Sequence, residues 1–168
     1  MKLFLIGMMG TGKSHWTKYL SKKTKLAGYD LDYLIEMNEE KTIAEIFAED
    51  GEDYFRKTEA KLLRWFGEKK AYILATGGGT PCFLDNMTWM NKQGITIWID
   101  EPVETLVERA VQQKEHRPAI QGLTNEEIHA LFEKRIAERK VFYSQATHHL
   151  KGADISEKAF QQIIRQYA

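Results

Sequence analysis

The sequence predicts an α/β fold, an open parallel sheet of about five strands with helices packed on both faces. Three observations carry the prediction. Short apolar runs without polar alternation recur at residues 2–6, Tyr72–Ala75 and Ile95–Ile99, as strands buried on both faces require. Stretches with helical start signals and a 3.6-residue apolar period lie between them. A glycine-rich turn joins the first strand to the first helix.

In chain order, the run Lys2-Leu3-Phe4-Leu5-Ile6 ends at Gly7, too short for a signal peptide's apolar core or a membrane span, and is expected as a strand. From Gly12 a helix opens through Trp16, Tyr19 and Leu20. Thr42 and Glu45 form a capping box ahead of Ile43, Ile46 and Phe47, and Pro102 suits the first turn of another helix. Residues 112–123 are polar and aperiodic, so a mobile loop over the site is expected there. Thr124 and Glu127 make a second capping box. The strand–helix alternation implies right-handed crossovers and ligands at the carboxyl ends of the strands. No linker divides residues 1–168, which are expected to form one domain.

Composition narrows the function. With 24 Lys+Arg and 24 Asp+Glu, the chain has no net field to recruit nucleic acid or an anionic membrane, so an anion must be held by a local cluster. The lone cysteine, Cys82, excludes an intrachain disulfide, offers no metal cluster and fits a reducing cytosol; it is expected as inert packing.

Gly7-Met8-Met9-Gly10-Thr11-Gly12-Lys13-Ser14 matches G-x-x-x-x-G-K-[ST] between a strand and a helix, the context that the mechanism needs. Glycines let backbone N–H groups wrap a phosphate, and the helix N-terminus adds its positive end. Lys13 then neutralises β/γ oxygens of ATP and the Ser14 hydroxyl ligates Mg²⁺.

The acceptor side is less distinctive. Asp30 and Asp32, two residues apart, would face one way at a strand end, Asp30 serving Mg²⁺ through its water and Asp32 taking a hydroxyl proton. A solvated turn with a helix cap would use the same residues. Gly77-Gly78-Gly79, directly after a strand, allows close ligand approach or a merely flexible turn. On the last long helix, Arg135 and Arg139 fall within the apolar stripe of Ile128, Leu131, Phe132 and Ile136, which calls for a negative partner. Arg56 has an i,i+3 partner in Glu59, and the pattern alone does not choose between an ion pair and a ligand contact.

Taken in order, these motifs resemble those of shikimate kinases. The P-loop, the Asp-x-Asp of Asp30 and Asp32, the stretch from Thr42 through Arg56, Thr76-Gly77-Gly78-Gly79, Arg117-Pro118, and Arg139 ahead of Tyr143 all carry the likeness, which spans essentially the whole chain. It implies the three-layer fold of P-loop nucleotide-binding proteins and transfer of phosphate from ATP to the 3-hydroxyl of shikimate. It assigns Asp32, Arg56, Gly78, Gly79 and Arg139 to shikimate, with both arginines on its carboxylate. Asp30 goes to the Mg²⁺ side, Arg117 to the lid and Arg109 to the adenine. With the P-loop, the nucleotide-side candidates are Gly10, Thr11, Gly12, Lys13, Ser14, Thr17, Arg109 and Arg117. A monomeric cytoplasmic enzyme is expected. The rivals are a related kinase of gluconate type and a nucleotide-binding regulator without catalysis. Two departures stand out: His15-Trp16-Thr17 follows Ser14 where the family usually continues with a threonine and, soon after, a small residue, and Val141 replaces a proline after Arg139.

Overall fold

In the computed structural model, which describes residues 1–168 apart from the side chain of Pro118, five strands form one parallel sheet. They are β1 (Lys2–Ile6), β2 (Gly28–Asp30), β3 (Tyr72–Ala75), β4 (Ile95–Asp100) and β5 (His148–Lys151), in the order β2-β3-β1-β4-β5. Leu3 of β1 sits between Ile73 of β3 and Ile95 of β4. From central β1 the chain goes first to the β2 and β3 side and then to the β4 and β5 side. The winding therefore reverses about β1, and the crevice opens where Gly7 leaves it. Gly7 needs to be glycine: its φ is 143°, and a Cβ there would lie 2.4 Å from the Ile99 carbonyl oxygen.

The pleat sends alternate residues to two cores. Leu3, Leu5, Ile73, Ile97 and Ile99 pack with Leu20 of α1 (Lys13–Thr24) and Phe160 and Ile163 of α8 (Glu157–Gln166). Phe4, Ile6, Leu74 and Trp98 face the opposite layer. That layer contains α2 (Leu31–Glu39), α3 (Ile43–Glu49), α4 (Gly51–Trp65), α5 (Asn86–Gln93), α6 (Val103–Gln112) and α7 (Asn125–Tyr143). Both expected capping boxes form, at the starts of α3 and α7. The departure at Trp16 has its counterpart in α8: the indole packs on the Phe160 ring with centroids 4.6 Å apart, joining the first helix to the last.

Two readings need correction. Asp32 does not sit at a strand end, because β2 stops at Asp30 and Asp32 lies in the first turn of α2. Residues 112–123 are not simply aperiodic loop. They hold single 3₁₀ turns at Lys114–His116 and Pro118–Ile120, and Ile120 is completely buried. Elements of one turn are too short to show a period. Among the described residues, no helix is long and apolar enough to cross a membrane.

Candidate active site

At the carboxyl ends of the strands lies a cleft of about 660 Å³, lined by Met9–Trp16 of the P-loop region, Asp30, Asp32, Thr76, Gly78, Arg109, Arg117 and Ile155, among others. The loop's geometry follows from its glycines. Gly10 and Gly12 take the left-handed φ values of 82° and 91°. Helix α1 then begins with neither a side-chain cap nor an acidic residue in its first turn. Its leading N–H groups thus have no side-chain cap, and its positive end lies at the cleft.

Lys13 is the first residue of α1, and its ammonium donates to the carbonyls of Gly7 and Met8, each at 2.8 Å. Burial pulls its pKa down to about 8. Asp32 and Asp30 support the charge, whereas Arg139 and Arg117 oppose it. The Ser14 hydroxyl hydrogen-bonds Asp30, whose other oxygen accepts from the Tyr33 amide at 3.3 Å, so Asp30 caps α2 as well as facing the loop. Asp32 lines the same cleft. Burial, and then the neighbouring Asp30 and Glu59 carboxylates, push its pKa up to about 6 against the pull of Lys13.

The glycine run after β3 is where the acceptor-side candidates converge. A Cβ on Gly77 would lie 2.8 Å from Asp32 Oδ1, one on Gly78 3.1 Å from Arg139 Nη1, and one on Gly79 2.6 Å from Arg56 Nη2. Each glycine thus makes room for one polar side chain. Arg56 forms its pair with Glu59, at 3.0 Å, and the same guanidinium lies against Gly79. Glu59 is fully buried and accepts a further hydrogen bond from Thr80 Oγ1 at 2.7 Å. Arg139 is different: no carboxylate lies within ion-pair distance among the described residues, and its contact is Met8 Sδ at 3.5 Å. A half-buried guanidinium without a carboxylate leaves a place for an anionic ligand. Helix α7 runs unbroken from Arg139 through exposed Val141 to Tyr143.

Of the nucleotide-side candidates, Thr17 alone does not line the cleft. It lies on the buried face of α1, where its methyl would lie 3.0 Å from a Cβ on Gly28. Arg109 donates to the Gly10 carbonyl at 2.7 Å and Arg117 to Gln113 Oε1 at 2.7 Å, which holds both at the cleft. Arg56, Gly79 and Arg139 lie beyond its lining, past Gly78. Pro118, paired with Arg117 in the sequence motif, lies outside the described side chains. Arg135 makes no hydrogen bond or ion pair among the described residues, and burial followed by Arg139 lowers its pKa.

Sequence reasoning missed Glu59 as a buried support, Phe83, whose ring centre is 4.0 Å from the Arg56 guanidinium carbon, and Tyr143, whose hydroxyl donates to the Gly78 carbonyl. Only the Arg139-to-Tyr143 spacing hinted at the last. Cys82 is half-buried, and burial raises its thiol to about 11, leaving little thiolate at neutral pH.

A family model described as shikimate kinase matches residues 9–168. The chain belongs to the shikimate kinase family. A shikimate kinase of Parabacteroides distasonis is 40% identical over 146 residues, covering 87% of this chain and 84% of the relative. The crystal structure of shikimate kinase from Bacteroides thetaiotaomicron is 32% identical and superimposes with a TM-score of 0.88, covering 99% of this chain and 96% of the other. Shikimate kinase from Acinetobacter baumannii in complex with shikimate is 28% identical, with a TM-score of 0.85 over 98% of this chain and 93% of the other. Membership in the shikimate kinase family bears out the resemblance read from the motifs and the activity that it implies, ATP-dependent phosphorylation of shikimate.

Proposed function

We propose that this chain phosphorylates shikimate with Asp32 as proton acceptor, Lys13 and Arg117 on the transferring phosphoryl group, and Arg56 and Arg139 on the shikimate carboxylate. The observation that supports it most is the convergence of Asp32, Arg139 and Arg56 on three successive glycines beside the P-loop. Phosphates of ATP occupy the loop amides and the N-terminus of α1, and Lys13 exchanges its two carbonyl acceptors for β/γ oxygens. Anchored by its carboxylate, shikimate places its 3-hydroxyl against Asp32. The hydroxyl oxygen bonds the γ-phosphorus, the bond to the β,γ-bridging oxygen breaks, ADP carries away the electron pair, and the hydroxyl proton passes to Asp32.

Ser14 and Asp30, two oxygen donors in contact at the loop, suit a hard cation held by one hydroxyl, waters and phosphates, whereas no cluster of three His, Cys, Asp or Glu exists among the described residues. Bound there, Mg²⁺ would neutralise charge on the β- and γ-phosphates. The chain is proposed to work in the cytoplasm as a single-domain monomer, with residues 112–123 closing over the cleft.

The deciding experiment is an ADP-release assay with shikimate, quinate and gluconate in parallel. Release stimulated by shikimate above the others is expected, since paired arginines favour a planar carboxylate. Preference for gluconate, or release that ignores all three, would overturn the reading. Arg139→Ala should lower kcat/KM for shikimate by about 10- to 150-fold, the loss of one hydrogen bond to a charged group, and leave the KM for ATP nearly unchanged. A rise in the ATP KM alone would place Arg139 on the nucleotide side. Arg117→Ala is expected to lower kcat by about 100-fold with little change in the shikimate KM, because its charge serves the phosphoryl group. Steady-state kinetics in both substrates separates these outcomes.

A further inference from the structure

We propose that Phe83 is a positioning residue for the acceptor, its ring fixing the plane in which the Arg56 guanidinium meets the ligand's carboxylate. The inference rests on the assignment of Arg56 to that carboxylate. The guanidinium carbon lies 4.0 Å from the Phe83 ring centre and 5.0 Å from that of Phe55, both within the range of a cation on an aromatic face. Its edges are also accounted for. Nε faces Glu52 at 3.4 Å and Nη1 donates to Glu59 at 3.0 Å. Nη2 is left without a hydrogen bond among the described residues, and with Nη1 and Cζ it borders the space that a Cβ on Gly79 would fill, 2.6 Å from that position. A planar ion held on one face by a ring and on two edges by carboxylates has one edge free for a ligand. The side chain is only 11% exposed, so these contacts act in a poorly screened setting.

The ring is held from the other direction by the same network. Phe83 is extended and is followed by two non-glycine residues in the left-handed region, Leu84 at φ 48° and Asp85 at φ 55°. Such a pair persists only where its surroundings over-determine it. Here Arg64 donates to the Leu84 carbonyl at 2.8 Å and to Asn86 Oδ1 at 2.6 Å. Fully buried Asn86 donates to the Thr80 carbonyl at 2.9 Å, and Thr80 Oγ1 donates to Glu59 at 2.7 Å. Glu59 therefore grips Arg56 directly and also, through Thr80, the turn that carries Phe83. Side-chain packing alone needs no such closed circuit.

The test compares ring-free Phe83→Leu and Phe83→Met with ring-retaining Phe83→Tyr, each alone and with Arg56→Ala, in steady-state kinetics on the full chain. The ring-free variants are expected to raise the shikimate KM by about 3- to 10-fold, with kcat within about twofold and the ATP KM unchanged. Phe83→Tyr should restore the wild-type KM. In the Arg56→Ala background, removing the ring should add nothing, because its target is gone. If Arg56→Ala itself leaves the shikimate KM unaltered, the acceptor assignment is wrong. The acceptor assignment stands and the role of Phe83 fails if Arg56→Ala raises the KM while the ring-free variants do not, or if Phe83→Tyr is as impaired as they are. Undiminished ring loss in the Arg56→Ala background has the same meaning. A lowered thermal midpoint with unchanged KM would show Phe83 to be packing only.

Discussion

Lys13→Ala is expected to lower kcat by about 1,000-fold or more while the fold persists. The reason is that Lys13 delivers a charge whose structural part is small. Its ammonium rests on two loop carbonyls at 2.8 Å, and burial has already weakened its hold on the proton, to a pKa of about 8. Binding triphosphate oxygens reverses that: the lysine gains anionic partners, keeps its proton and cancels charge that grows between the β- and γ-phosphates. Alanine removes all of this. The cost to the apoprotein is modest, because alanine is the best helix former for the first position of α1, and carbonyls beside an open cleft can be hydrated. The thermal midpoint should move by no more than about 4 °C. Single-turnover kinetics and a thermal melt on one preparation check both halves, and turnover within tenfold of wild type would remove Lys13 from the chemistry.

How far the sequence went depends on whether a feature is local. The P-loop was legible because its glycines, lysine and serine are contiguous and its strand and helix flank it directly. β1, β3 and β4 were legible because they are buried on both faces and so consist mostly of apolar residues without alternation. The edge strand β5, His148–Lys151, buries only Leu150 and carries no such signal. The proposed acceptor site could be assembled only through resemblance, since Asp32, Arg56, Gly78 and Arg139 come from four separated segments and nothing in their spacing says that they meet. Arg56 shows the limit clearly. Its pairing with Glu59 follows from helical spacing, but the Phe83 ring against it comes from a turn 27 residues away, in a conformation no propensity foretells. The same holds for Ile120, an apolar residue in a mostly polar stretch that folding buries completely.

Asp32→Asn is expected to lower kcat by about 100- to 10,000-fold, the range for loss of a positioned proton acceptor, and to raise the shikimate KM by much less. Asparagine keeps the shape and an accepting oxygen but cannot take the hydroxyl proton. Burial first, then the Asp30 and Glu59 carboxylates, raise the pKa of Asp32 to about 6, which makes it a stronger base than an ordinary aspartate yet still ionised at neutral pH. In the free enzyme, kcat/KM should thus fall about tenfold per unit of pH below 6 and again above 8, where Lys13 loses its proton. In Asp32→Asn the acid limb should vanish and the alkaline limb remain. Stability supplies an independent sign. A carboxyl whose folded pKa is raised binds its proton more tightly when folded, so its stabilising contribution is present at low pH and is lost as pH rises through about 6. Asparagine has no charge to bury. The thermal midpoint of Asp32→Asn should therefore exceed that of wild type at pH 8 and approach it below pH 4, and an acid limb retained in the variant would assign the proton transfer to another group.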